Sequence, residues 1–227
     1  PGSELVDVWG WSDGRVVWGE YAGERGEVAL VSEPIVSLSV GNVSPDTGNE
    51  LVAVTETGRL FIIQNTAEWD ELARFEERPL GAPVISDLDG DGLDEIIAVS
   101  SRGVVSLQQV GAKPKLSLPV EGGAKSPPVL GDLDGDGFPD LILGNWRDQL
   151  RYYRNVGAAA GARFELVDSA LVVLTRGSNA TPALGDLDGD GLLDLMVGEA
   201  SGTLNYYRNV GTARAPRFEL VSDAYAG

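Results

Sequence analysis

Three stretches of the chain crowd four or five carboxylates and two glycines into nine residues: DLDGDGLDE from Asp87 to Glu95, DLDGDGFPD from Asp132 to Asp140, and DLDGDGLLD from Asp186 to Asp194. Carboxylates held this close repel one another, so the bare alternative, a solvated acidic turn without metal, is disfavoured against a loop that holds a cation. Side-chain oxygens fall at positions 1, 3, 5 and 9, and the carbonyl of position 7 is also at hand. Glycines at positions 4 and 6 allow a tight curl that brings alternate side chains to one point. A hard cation taking six to eight oxygens suits that cage, which favours Ca2+ over Mg2+. An EF-hand starts similarly but needs a bidentate Glu at position 12 between helices. Position 12 here is Ala98, Leu143 and Val197, each inside an apolar run.

Composition narrows the chemistry further. The 227 residues carry 35 Asp plus Glu against 17 Lys plus Arg, a net charge of -18, which argues against nucleic acid and anionic membranes as partners. Histidine and cysteine are both absent, which removes Ser-His triads, thiol nucleophiles, disulfides and most zinc chemistry. No apolar run is long enough for a membrane-spanning helix, so direct membrane insertion is not expected. The opening Pro1-Gly2-Ser3 reads as a vector scar, and residues 4–227 as a single domain.

Elements must position these loops, and the chain repeats to supply them. The loops start at Asp87, Asp132 and Asp186, at spacings of 45 and 54, and a weaker copy, NVSPDTGNE from Asn42 to Glu50, lies another 45 upstream. A short apolar run follows each loop: Leu51–Val54, Ile96–Val99, Leu141–Leu143 and Leu195–Val197. A further strand follows in five copies, among them GRLFIIQN, QLRYYRN and TLNYYRN; RFELV supplies the next, and APVIS, PPVLG and TPALG precede the strong loops. Four short strands per repeat, joined by Gly-rich turns without helical periodicity, predict an all-β fold: a β-propeller of four-stranded antiparallel blades. About five blades are expected, at 4–32 (partial), 33–80, 81–125, 126–179 and 180–227, as an arc of a larger propeller or a ring closed through its C-terminal segment or by other copies. One Tyr of each pair, Tyr152-Tyr153 and Tyr206-Tyr207, should pack between blades while the other points away.

With these motifs in hand, GDLDGDGFPDLILG (Gly131–Gly144), GDLDGDGLLDLMVG (Gly185–Gly198) and SDLDGDGLDEIIAV (Ser86–Val99) resemble FG-GAP repeats, also called VCBS-type or integrin-α-like propeller repeats. The resemblance is clear over about 82–221 and reaches back to about Glu33 through the weaker copy. It implies a calcium loop joining the first and second strands of a blade. The implied ligands are Asp87, Asp89, Asp91 and Glu95; Asp132, Asp134, Asp136 and Asp140; and Asp186, Asp188, Asp190 and Asp194, with the carbonyls of Leu93, Phe138 and Leu192. Asp94, at position 8, is assigned to solvent. Three Ca2+ sites are expected, while the Asn42–Glu50 copy, with two carboxylates and Pro45 in place of the central glycine, is expected to stay empty.

The resemblance also implies an extracellular, secreted or cell-surface recognition module, lectin-like or adhesive, with calcium in a structural role. The expected partner is a protein or a glycan, and open blade edges invite self-association. Trp11 and Trp146 align on turns opposite the calcium loops, beside Asp13, Arg147 and Asp148, and form a candidate ligand edge. The competing reading is a calcium-dependent polysaccharide-active enzyme, or a noncatalytic propeller attached to one. Catalysis is not expected, because the acidic residues are absorbed by the loops and no unexplained carboxylate pair remains.

Overall fold

The computed structural model describes residues 8–12, 15–18, 33–45, 48–63, 69–74, 79–100, 102–107, 116–119, 123–157, 161–174 and 178–225. Every element among them is a strand. β1 (Val8–Ser12) and β2 (Arg15–Trp18) pair as a two-stranded sheet. Four four-stranded antiparallel sheets follow in chain order. The first contains β3 (Ile35–Gly41), β4 (Glu50–Thr55), β5 (Arg59–Ile63) and β6 (Trp69–Arg74). The second contains β7 (Val84–Ser86), β8 (Glu95–Val99), β9 (Gly103–Leu107) and β10 (Leu116–Pro119). The third contains β11 (Val129–Gly131), β12 (Asp140–Gly144), β13 (Gln149–Asn155) and β14 (Phe164–Val173), and the fourth β15 (Thr181–Gly185), β16 (Asp194–Gly198), β17 (Leu204–Asn209) and β18 (Phe218–Ser222). Each sheet is a meander in which sequential strands pair, the blade pattern expected from the repeats. The first strands β3, β7, β11 and β15 touch in succession, so the sheets stack side by side as an arc. No helix among the described residues is long and apolar enough to cross a membrane.

The continuous apolar runs after the loops are explained by this stacking. Successive side chains on a strand face opposite ways, and in a stacked blade both faces are interior. Along β8, Ile96 and Ala98 join the core against the first sheet, while Ile97 and Val99 join the core against the third. Leu141 and Leu143 of β12 likewise face the second sheet, and Ile142 faces the fourth. Neighbouring sheets therefore supply the core that no single blade can build.

The tyrosine pairs follow the same rule, with a consequence the sequence reading missed. Tyr153 packs in the core between the second and third sheets, and Tyr152 in the core between the third and fourth. Neither points away: all four tyrosines are 9% exposed or less, because Tyr152, Tyr153 and Tyr207 lie in cores between sheets and the Tyr206 ring meets Tyr225 edge-on, centroids 5.5 Å apart. Close backbone approach also shapes the junctions. A Cβ on Gly144 would lie 1.7 Å from the carbonyl oxygen of Ala180, so only glycine lets the end of β12 meet the segment leading into β15.

Candidate metal centre

Each strong acidic loop connects the first and second strands of its sheet, and the three fold alike. Position 1 acts as a cap. Asp87 accepts the N–H groups of Gly90 (2.7 Å) and Gly92 (3.0 Å), Asp132 those of Gly135 (2.7 Å) and Gly137 (2.9 Å), and Asp186 those of Gly189 (2.7 Å) and Gly191 (3.0 Å). The glycines at positions 4 and 6 all adopt positive φ, from 69° at Gly135 to 92° at Gly137. This left-handed backbone is costly for other residues, and it turns the chain around the first carboxylate. Position 5 accepts the N–H of position 7 in every copy: Asp91 from Leu93 (2.8 Å), Asp136 from Phe138 (2.9 Å) and Asp190 from Leu192 (2.9 Å).

Position 9 opens the second strand and is buried: Glu95 and Asp194 are 0% exposed and Asp140 1%. It closes the loop by accepting the N–H of position 2, from Leu88 (2.8 Å), Leu133 (3.0 Å) and Leu187 (3.1 Å) respectively. In the last two sheets it does more. Asp140 Oδ2 accepts the Tyr152 hydroxyl at 2.9 Å and Asp140 Oδ1 the Asn155 N–H at 2.8 Å; Asp194 does the same with Tyr206 (3.0 Å) and Asn209 (2.8 Å). Burial pushes the Asp140 carboxyl above its usual range, and the bonds from Asn155, Tyr152 and Leu133 oppose that push. Burial, with the charge of Asp140 adding to it, also holds the Tyr152 phenol well above its ordinary value.

Three carboxylates converge in each loop, with oxygens within 4.8 Å of one another: Asp87, Asp89 and Glu95; Asp132, Asp134 and Asp136; and Asp186, Asp188 and Asp194. Asp91, Asp140 and Asp190 stand outside these groups, although each belongs to the same loop as the others. The residues fit a hard cation. The donors are all oxygen, the position-9 carboxylates are buried, and Asp134 Oδ1 is buried without any hydrogen-bond partner. An acceptor in that state costs free energy unless a cation or proton meets it. The loops differ in cover: Asp89 (4% exposed) and Asp134 (8%) are buried, whereas Asp188 is exposed. Phe138 of the next loop reaches Gly90, and Ala213 reaches Gly135, whereas nothing lies near the Cβ position of Gly189.

Several contacts lay outside the sequence reading. Arg154 Nε pairs with Asp134 Oδ2 at 2.7 Å, and Arg208 Nε with Asp188 Oδ2 at 2.5 Å, so arginine supplies part of the compensating charge. Asn155, 0% exposed, ties two blades together: its side-chain amide donates to the carbonyl of Leu88 in the preceding loop at 2.8 Å. The repeated Tyr-Tyr-Arg-Asn segment was the available signal, a polar pattern recurring on strands otherwise read as packing. Asp94 does not face solvent as expected. Its Oδ2 accepts the Asn42 N–H at 2.8 Å, while the Asn42 amide donates to Gly92 O at 3.0 Å, fastening the weak loop to the strong one. In that weak loop Glu50 is 3% exposed and accepts the Ser44 hydroxyl at 2.8 Å and the N–H groups of Val43 (2.8 Å) and Ser44 (3.2 Å). Asp46 lies outside the described residues.

At the other end of the third sheet, the turn between β12 and β13 carries Trp146, 50% exposed, with Arg147 exposed and Asp148 half-buried. Asn145 Oδ1 accepts the N–H groups of Arg147 (2.9 Å) and Gln149 (3.2 Å) and so shapes the turn. Lys125 Nζ sits 3.8 Å from the Trp146 ring centroid and covers one ring face. Trp11 is on β1, paired with Val16 in a different sheet, and its side chain, like Asp13, lies outside the described residues.

Comparison with known proteins agrees with this architecture. Residues 132–197 match the FG-GAP-like repeat family. No curated protein matches the chain in sequence. Among solved structures, an Agrocybe aegerita lectin described as specifically recognising non-reducing terminal N-acetylglucosamine is similar at TM-score 0.63 and 16% identity, over 98% of this chain and 64% of that one. BBS1N, solved in complex with ARL6DN, is similar at TM-score 0.58 and 13% identity, over 92% of this chain and 62% of that one. The V. cholerae biofilm matrix protein Bap1 is similar at TM-score 0.51 and 20% identity, over 76% of this chain and 30% of that one. The chain thus spans less than two thirds of each of these structures, and at such identities the likeness concerns the fold. Four-stranded sheets stacked through their apolar runs give this chain the fold of a β-propeller, and residues 132–197 within it are similar to FG-GAP-like repeats.

Proposed function

We propose that the chain is a calcium-stabilised recognition module that binds a protein or a glycan outside the cell, by binding rather than catalysis. The observation that carries this reading is the threefold recurrence of converging carboxylates at one end of the blades, with a buried position-9 acid and the orphaned Asp134 Oδ1 among them. Asp87, Asp89, Asp91 and Glu95 would hold one ion, and the two later loops would hold one each through their four matching acids. Bound calcium would supply charge compensation and stiffen the turn between the first two strands of a blade. The acids that could otherwise act as a general acid and base are drawn into those loops, and the chain has no histidine or cysteine to take their place. An extracellular setting accords with this, since Ca2+ sites of modest affinity fill there.

The ligand edge proposed for recognition is the Trp146 turn. Its ring is half exposed on a turn held by Asn145, Lys125 places positive charge over one ring face, and the exposed Arg147 follows it in the same turn. Because Lys125 covers one ring face, a glycan stacks on the other face, or an acidic group on the ligand meets Lys125 directly. Glycan-array and partner-capture binding are expected to fall at least about tenfold in a Trp146→Ala variant whose melting temperature is unchanged. Binding equal to that of the parent chain would remove this edge from the account.

A further inference from the structure

Strands β13 and β17 carry the same four residues, Tyr-Tyr-Arg-Asn, and in both the arginine lands on position 3 of its own sheet's acidic loop. The two oxygens of that carboxylate are divided. Asp134 Oδ2 forms an ion pair with Arg154 Nε at 2.7 Å, while Asp134 Oδ1 stays buried without a hydrogen-bond partner. In the last sheet Arg208 Nε lies 2.5 Å from Asp188 Oδ2, and its terminal nitrogen reaches Asp190 Oδ2 at 3.5 Å. A guanidinium keeps its charge at every accessible pH, so each loop carries a permanent cation of its own.

We propose that Arg154 and Arg208 are built-in counter-ions: they hold the position-3 carboxylates of the metal-free loops and weaken the affinity of those two loops for Ca2+. The proposal rests on the calcium reading above and adds to it what sets the strength of two sites. Two routes lead to the same sign. If the guanidinium stays when calcium enters, like charges repel across a few ångströms. If it swings out, which its side-chain exposure of 38% at Arg154 and 48% at Arg208 permits, its ion pair is lost instead. Either way, calcium binding competes with a charge that is already in place. In the metal-free loops each arginine adds an ion pair to the backbone N–H groups that already hold the acids.

Calorimetric titration of chelator-stripped protein with Ca2+, paired with thermal melts in chelator, tests the proposal. Arg154→Gln and Arg208→Gln are each expected to tighten one site by roughly tenfold, a Coulombic effect discounted for the exposure of the arginines. Each should also lower the melting temperature in chelator, with a gap that narrows as salt is raised. Arg154→Lys keeps the charge and is expected to stay within about threefold of the parent affinity. Substituted proteins that bind calcium no more tightly than the parent would overturn the proposal alone. A parent chain that takes up no calcium would overturn both the proposal and the reading it rests on.

Discussion

Stripping the chain of divalent cations with a chelator lowers its melting temperature by about 10 °C or more, and added Ca2+ restores it. The expectation follows from linkage. A ligand present at about a hundred times its Kd adds roughly 2.7 kcal/mol per site to the folded state, and three loops converge their acids in the fold. A chain of this size moves by about 2–4 °C per kcal/mol. The unfolded chain keeps the acids but not the left-handed glycines and the buried closing carboxylate that shape each loop, so binding to it is weak. Mg2+ at the same concentration is expected to give a much smaller rise, because it prefers to keep its waters and demands tighter geometry. A melt that does not respond to chelator would count against the metal assignment for all three loops together.

Substitution of Asp140 is expected to be the most damaging single change in the third sheet, with or without calcium. Its carboxylate is 1% exposed and receives the Leu133 N–H, the Tyr152 hydroxyl and the Asn155 N–H. Asp140→Ala leaves three buried donors unpaired, and at about 1–3 kcal/mol each the loss reaches roughly 4 kcal/mol, allowing for partial relaxation. Asp136 offers the contrast within the same loop. It is exposed and accepts only the Phe138 N–H at 2.9 Å, so Asp136→Ala costs under about 0.5 kcal/mol in chelator and shows its effect only when calcium is present. Urea denaturation of both variants with and without Ca2+ separates the two roles. Equal losses for the two variants in chelator would show that position 9 is not the structural hub of the loop.

Much of this was legible from the chain because the same local device recurs. The acidic loops, the strands around them and the antiparallel four-strand blade follow from spacing, glycine placement and apolar runs, all of which are local. What escaped was nonlocal polar pairing. Nothing near Asp94 in sequence indicates Asn42, and nothing near Leu88 indicates Asn155; the stacking of one blade on the next creates those partners. For the tyrosines, alternation tells which face each ring takes but not what covers it: neighbouring sheets cover Tyr152 and Tyr153 on both faces of β13, whereas Tyr206 is met by Tyr225. Tyr152 and Tyr206 also carry a hydroxyl that a buried ring must satisfy, and the buried position-9 acid is its partner. Arg154 and Arg208 are illegible for a related reason: a net charge of -18 points to cations from outside the chain, and no local spacing marks which of its 17 Lys and Arg meets a loop acid.

The most direct test of the central claim is native mass spectrometry of the stripped protein at rising Ca2+, counting the ions retained. The expected count is three, falling to two in each of Asp87→Ala, Asp132→Ala and Asp186→Ala, since position 1 caps its own loop. A chain that retains no calcium, or one whose count is indifferent to all three substitutions, would contradict it.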